Sequence, residues 1–501
     1  MRFAFLALLL AFASCATTKE TRPNVVFILA DDLGYGDLAC TGGRVPTPNV
    51  DRLASEGLRF TDAHSASAVC TPTRYAILTG RYAWRSSLKK GVTWGMSPAL
   101  VDEGRPTVAR TLADAGYRTA FLGKWHLGLD WARLDEPRQA TSGPTEGPGW
   151  ELDYERRAQG GPTDRGYEES FTFPASLDMP PYLYLRNGVP DGVPSVTKSF
   201  APPVRPGPAT ADFEARRVLR DLARETRASI RRGAADERPF FCYLSLTSPH
   251  TPIEPAPAFQ GASGMGDYAD FLMETDWVVG EVLAELEAQG VLDDTLVIFS
   301  SDNGCSPMAK IPDLAELGHA VNGIYRGHKA DVYEGGHRIP LVARWPEQIA
   351  AGTTSDALVC TVDLFATLAE LAGVASEAPD SQSFLDVLRG AEGGRTVLVN
   401  HSINGSFALR RGRYKLCLCP GSGGWSGPKP PGSWKNDELP VCQLFDLELD
   451  PSETTNLFEE RRGLAVELAR ELEFELRSHP NDGWPDTFHE ALLAVFPFLE
   501  D

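Results

Sequence analysis

Cys70 and Arg74 stand four residues apart in AVCTPTRYAILTG, residues 68–80, the spacing that brings two side chains to one helix face. Thr71 is expected to cap a helix whose first residue is Pro72, and Thr79-Gly80 to stop it. Cys70 then lies just outside the helix N-terminus, where free N–H groups and the Arg74 guanidinium favour an oxyanion. Other chemistry-bearing residues follow apolar runs: Asp31-Asp32 after NVVFILA, Lys124 and His126 after YRTAFL, His250 after PFFCYLSLT, and Asp302-Asn303 after TLVIFS. Two neighbouring pairs of carboxylate and amide oxygens suit calcium or magnesium rather than zinc.

The elements that must position these groups are strands. The β-branched, continuously apolar runs read as strands buried on both faces of a parallel sheet. In open α/β sheets ligands bind beyond the strands' carboxyl ends, where all these residues fall. If the strand from Tyr117 continues through His126, Lys124 and His126 point to one face. Helices are expected over 106–116, over 212–232 with an apolar stripe of Phe213, Val218 and Leu222, over 268–290 and over 363–373. The Pro-, Gly- and Arg-rich stretch from Asp130 to Pro208 is long for a structureless loop and reads as either functional or disordered. Short strands at 396–400, 407–418 and 443–447, a Gly/Pro/Ser-rich loop over 420–435 and a helix at 464–476 finish the chain.

The motifs resemble those of the sulfatase family: C-x-P-(S/T/A)-R at Cys70 to Arg74, GKWHLG at 123–128, SPHTP at 248–252, and GHKADVYEGGHRIP at 327–340. That resemblance implies an α/β, alkaline-phosphatase-like sandwich with a large mixed, mostly parallel sheet. It also implies a smaller C-terminal α+β subdomain with an antiparallel sheet, dividing the chain at 22–385 and 386–501. A maturation enzyme would oxidise Cys70 to formylglycine, and one calcium ion would be held by Asp31, Asp32, Asp302, Asn303 and the Cys70 derivative. A thiolate is a poor ligand for so hard a cation, which favours the oxygen-bearing form. Arg74, Lys124 and Lys329 would stabilise the sulfuryl oxygens, with His126 acting on the formylglycine hydroxyl and His250 on the leaving alcohol. PTDRGY at 162–167 and SLDMPPY at 176–182 resemble the pocket wall of bacterial sulfatases, where Ser176 or Asp178 either touches substrate or stabilises a turn. His401 and the 421–427 loop either reach substrate or are ordinary loop residues. Glu334, Gly335, Gly336 and Arg338 read as a structural turn, and the roles of His328 and His337 stay open.

The 501 residues, 42% of them hydrophobic, suffice for a large core. A formal net charge of -20 argues against nucleic-acid or anionic-membrane partners, so positive potential for an anionic substrate must be local. Residues 1–15, MRFAFLALLLAFASC, read as a secretory signal. Cys15 also resembles the lipid-attachment site of a bacterial lipobox, implying export to the periplasm or cell surface with a lipid anchor, or simple cleavage nearby. The other eight cysteines show no zinc-type pairs, and an oxidising compartment leaves room for one or two disulfides, with pairing open. The expected activity is hydrolysis of sulfate esters on sulfated carbohydrate. A phosphonate monoester or phosphodiester hydrolase is the alternative enzyme, and a non-catalytic lipoprotein binding sulfated glycans the alternative class.

Overall fold

The computed structural model describes residues 22–200, 204–427 and 440–479; the leader and Cys15 lie outside them. Ten strands form the main sheet: β1 (Asn24–Asp31), β2 (Leu58–Phe60), β3 (Arg118–Lys124), β4 (Glu169–Phe173), β5 (Leu185–Arg186), β6 (Val189–Pro190), β7 (Phe240–Pro249), β8 (Thr295–Ser301), β9 (Leu341–Arg344) and β10 (Thr353–Ser355). Their spatial order is β10-β2-β9-β8-β1-β7-β3-β4-β5-β6. The central β8, β1, β7, β3 and β4 run parallel, while β9, β5 and β6 pair antiparallel with their neighbours. The sheet is therefore mixed and mostly parallel, and the carboxyl ends of its central strands share one edge.

Period-two alternation assigns each side chain of β1 to a face. Val25, Phe27 and Leu29 join a core layer with Tyr75, Ile77 and Leu78 of helix α1 (Cys70–Thr79) and with helices α2 (Val108–Asp114) and α5 (Leu364–Leu371). Val26, Ile28 and Ala30 join the opposite layer, under helices α3 (Val218–Ala234) and α4 (Asp267–Ala288). Helices on both faces explain why β1 is buried from Val25 onward. Helix α3 starts later than expected: Phe213 precedes it and still packs inward, so the apolar stripe continues beyond the helix.

A separate antiparallel sheet comprises β11 (Val397–His401), β12 (Phe407–Arg411), β13 (Tyr414–Cys417) and β14 (Gln443–Asp446), covered by α6 (Arg462–Arg477). The run 407–418 is a hairpin rather than one strand, reversing at Gly412 with φ +55°. Where the sequence leaves room for one or two disulfides, all eight cysteines among the described residues are free thiols. Seven are buried in the packed layers, the eighth, Cys40, partly so. Among the described residues no helix is long and apolar enough to cross a membrane.

Candidate active site

Helix α1 differs from the expected start. Cys70 is its first residue, Val69 is the N-cap, and Thr71 makes no cap; its Oγ1 donates to the His126 carbonyl at 3.1 Å instead. The whole of α1 is buried, which moves Cys70 from a helix entrance into the first turn, only 2% exposed. At the other end Gly80 adopts φ +58° and closes the helix onto the Ala76 carbonyl, as its residue type requires.

Around Cys70 the strand ends gather the expected groups. Lys124 Nζ lies 2.6 Å from Asp31 Oδ2, and Lys329 Nζ 2.8 Å from Asp32 Oδ2. The Asp302 Oδ2 atom accepts from Arg74 Nε at 3.0 Å and Nη2 at 2.7 Å. Asn303 Nδ2 donates to Asp32 Oδ1 at 2.7 Å, and the Asp32 N–H to Asp302 Oδ1 at 3.1 Å. Three buried cations thus face three buried carboxylates, an arrangement that keeps charge in a dry site tolerable. Burial pushes Asp31 upward, but Lys124, His250, Arg74 and Lys329 more than offset it and leave it well below the ordinary carboxylate range. Burial and the neighbouring Asp31 carboxylate push Asp302 up to about 6; like charges in one site drive such a split.

Arg74 was expected on the sulfuryl oxygens, yet its donors are engaged by Asp302, the Lys124 carbonyl and Ser245 Oγ. Its observed contacts make it a strut between α1 and the strand ends. Lys124 and His126 do not share a strand face, because β3 ends at Lys124 and His126 turns to φ +54°. Gly123 makes the turn possible: its φ is +104°, and a Cβ there would meet the Ser245 carbonyl at 1.9 Å.

The two histidines are held in opposite senses. His126 Nε2 lies 2.8 Å from the Thr93 carbonyl and therefore carries the proton, leaving Nδ1 buried without a hydrogen-bond partner among the described residues. Burial, Lys124 and Arg74 push its pKa well down, so the ring is neutral with a free lone pair. His250 Nδ1 donates to the Thr251 carbonyl at 2.7 Å, which directs Nε2 to 3.6 Å from Asp32 Oδ2. Ser176 Oγ contacts His250 Nδ1 at 3.1 Å. For Asp178, burial raises the carboxyl, but His250, Lys124 and Lys329 more than compensate and lower it.

His401 lies elsewhere. It is buried, with Nδ1 on the Ser402 carbonyl, and its own carbonyl accepts from the Ala68 N–H; it braces the approach to Cys70. From the 421–427 loop Trp425 does reach the site, its ring 5.9 Å from Lys329 Nζ. His337 belongs to a separate buried network with His64, Glu334 and Lys415. His328 Nδ1 meets the Lys329 carbonyl. Sequence reasoning missed Thr93 and Ser245, whose only local mark is a hydroxyl; their roles come from long-range contacts.

A cation of the expected kind fits this donor set. Asp31 Oδ1 and Asn303 Oδ1 are buried oxygens with no hydrogen-bond partner among the described residues, and such orphans call for an explanation such as an ion. Asp31, Asp32 and His250 also lie close enough together to share one.

The family model described as Sulfatase matches residues 23–374. The chain is 32% identical to an N-acetylgalactosamine-6-O-sulfatase of Bacteroides thetaiotaomicron, over 91% of this chain and 93% of the relative. With human arylsulfatase A it shares 34% identity over 93% and 89% of the two chains. A solved Bacteroides thetaiotaomicron structure described under metabolism of multiple glycosaminoglycans superposes with TM-score 0.78 at 30% identity, covering 92% of this chain and all of the other.

Proposed function

The chain belongs to the sulfatase family and is a sulfuric ester hydrolase, and from that premise we propose that its substrate is a sulfated saccharide and that its nucleophile derives from Cys70. The similarity to a bacterial sulfatase of a sulfated amino sugar, together with the long wall over 130–208, supports the saccharide. The observation that carries the nucleophile is the place of Cys70, buried in the first turn of α1 one turn before Arg74, which holds Asp302. Burial raises its thiol pKa despite Lys124 and Lys329, the opposite of what a thiolate nucleophile needs. Oxidised to formylglycine by a maturation enzyme, Cys70 would supply a hydrated aldehyde with two hydroxyls.

A divalent cation, calcium by the hardness of the donors, would be held by Asp31, Asp32, Asp302, Asn303 and the Cys70 derivative and would supply Lewis-acid stabilisation of sulfuryl oxygens. The remaining work falls to the chain's own groups. Lys124 and Lys329 bring two buried ammonium groups to the developing charge. His250 keeps its Nδ1 proton on the Thr251 carbonyl and acts as the imidazolium, giving its Nε2 proton to the leaving alcohol oxygen as a general acid and ending neutral. His126, with Nδ1 unprotonated, takes the proton of the second hydroxyl and so expels sulfate. Arg74 keeps α1 registered against Asp302. Ser176 and Asp178 stand beside His250 at the substrate face. Export, with a lipid anchor at Cys15, completes the reading and is tested by fractionation and lipid labelling.

The same fold also accommodates a phosphonate monoester hydrolase of Agrobacterium radiobacter, matched with TM-score 0.57 at 20% identity. A panel of sulfated monosaccharides, aryl sulfates, phosphodiesters and phosphonates therefore tests the reading. Tryptic digestion of the same preparation releases Phe60–Arg74 as one peptide, whose mass separates cysteine from formylglycine. Turnover fastest on a sulfated saccharide, by protein carrying formylglycine, is the expected result. Full activity with only unmodified Cys70, or preference for phosphorus esters, overturns it.

A further inference from the structure

Among the described tryptophans only two are exposed, Trp94 at 43% and Trp425 at 38%, and both belong to segments that touch catalytic groups. Trp94 follows Thr93, whose carbonyl and hydroxyl engage His126. Its ring carries the Arg205 guanidinium at 4.4 Å, and Arg205 in turn pairs with Asp178 at 3.3 Å. Trp425 enters from the C-terminal sheet, its ring 5.9 Å from Lys329 Nζ.

The backbone beneath each platform is tied down before any ligand arrives. The Trp94 N–H is tied to Ser97 Oγ at 2.8 Å, and Gly95 packs so closely on Pro180 that a Cβ would meet its carbonyl at 2.1 Å. On the other segment, buried Asp331 accepts from the Trp425 and Ser426 N–H groups at 2.8 and 3.0 Å through Oδ1, and from the His328 N–H at 3.0 Å through Oδ2. Gly424 lies against the Ala330 carbonyl, where a Cβ would come within 2.2 Å. A large apolar ring left in water beside a charged site forgoes burial that a ligand can restore.

We propose that Trp94 and Trp425 are stacking platforms for pyranose rings of the sulfated substrate, with the Arg205–Asp178 pair against one face of the Trp94 ring taking ring hydroxyls or a neighbouring anionic substituent, so that the pyranose stacks on the other face. A pyranose has an apolar C–H face that fits an indole and a polar rim that fits a carboxylate–guanidinium pair. The wall thus selects the ring, while the lysines select the sulfate. This rests on the saccharide reading above.

The test uses the full, mature enzyme and its Trp94→Ala and Trp425→Ala variants on a panel of monosaccharide and oligosaccharide sulfates, with inorganic sulfate as a ringless inhibitor. The expected result is a fall in kcat/KM of about tenfold or more on the preferred saccharide in each variant, partly restored by Trp→Phe. The inhibition constant of inorganic sulfate should stay within about twofold, because the sulfuryl site is untouched. Saccharide turnover left within about twofold of wild type, or sulfate inhibition weakened in parallel, overturns the platforms alone. If the wild-type enzyme desulfates no saccharide, the substrate reading falls and the platforms with it.

Discussion

At the scale of single residues, the site is defined by oxygens that the chain leaves unsatisfied. Asp31 Oδ1 and Asn303 Oδ1 are buried and lack partners among the described residues, while Lys124 holds Asp31 Oδ2, Lys329 holds Asp32 Oδ2 and Arg74 holds Asp302 Oδ2. Calcium added to chelator-treated protein should therefore raise Tm, equivalent to roughly 2.7 kcal/mol at a hundredfold excess over Kd. Asp302→Ala and Asn303→Ala should lose that shift together with activity; an undiminished shift in both would remove them from the ligand set. Glu274 gives a pH prediction of a different kind. Burial raises its carboxyl to about 7, with one oxygen on the Ala256 N–H at 2.7 Å. A carboxyl with a raised folded pKa binds more protons in the fold, so its favourable contribution is present below the unfolded value near 4.5 and is lost as pH rises through about 7. Glu274→Gln should flatten that window and raise Tm at pH 8 relative to wild type, recovering at most about 3 kcal/mol. Thermal melts of both proteins at pH 5 and 8 measure the difference.

At the scale of elements, α1 is positioned by its packed sides and by both of its ends. Its apolar residues Tyr75, Ile77 and Leu78 face the core, and Arg74 reaches Asp302 from the same turn as Cys70. Gly80 ends it in the left-handed region, and a Cβ at that position would lie 2.2 Å from Ala378 Cβ and 3.0 Å from Phe365 Cβ. Gly80→Ala should cost about 3 kcal/mol, from the conformation and the clash together. Because the helix carries Cys70, activity should fall alongside Tm; a Tm within about 1 °C of wild type would show that the contact relaxes freely.

At the scale of the whole molecule, the two sheets are joined by buried charge. Lys415 on β13 lies 3.0 Å from Glu334 and 2.8 Å from Glu453, and its Nζ is 3.1 Å from His337 Nε2. Glu334 also pairs with Arg338 at 3.0 Å, and Arg338 with Asp62 at 2.8 Å. The segment holding Glu334 begins only five residues beyond Lys329, so the antiparallel sheet steadies a catalytic loop of the main one. Lys415→Met should destabilise by about 3–5 kcal/mol, since it leaves buried carboxylates uncompensated. The remaining folded fraction should lose turnover on small and large substrates alike, read by melts and by assays normalised to folded protein. Unchanged stability would show that the junction is held by packing instead.

The sequence by itself was enough to place Asp31-Asp32, His250 and Asp302-Asn303 at strand ends, because a continuous β-branched run followed by polar residues has few other solutions in a parallel sheet. It also determined the stop at Gly80, since a residue without Cβ enters a left-handed terminus at the least steric cost. The start of α1 was beyond it: the Thr71 hydroxyl has two local uses, and only the approach of the His126 carbonyl decided between them. In the same way Gly123 breaks the alternation that would have aligned Lys124 with His126, for the backbone of β7 comes too close there for any other residue. Thr93, Ser245 and the exposure of Trp94 and Trp425 depend on partners tens to hundreds of residues away. Periodicity and turn chemistry act over a few neighbours and so fix strand ends and helix stops, whereas the direction of a proton on His126 or His250 depends on which distant carbonyl the packed chain delivers to it.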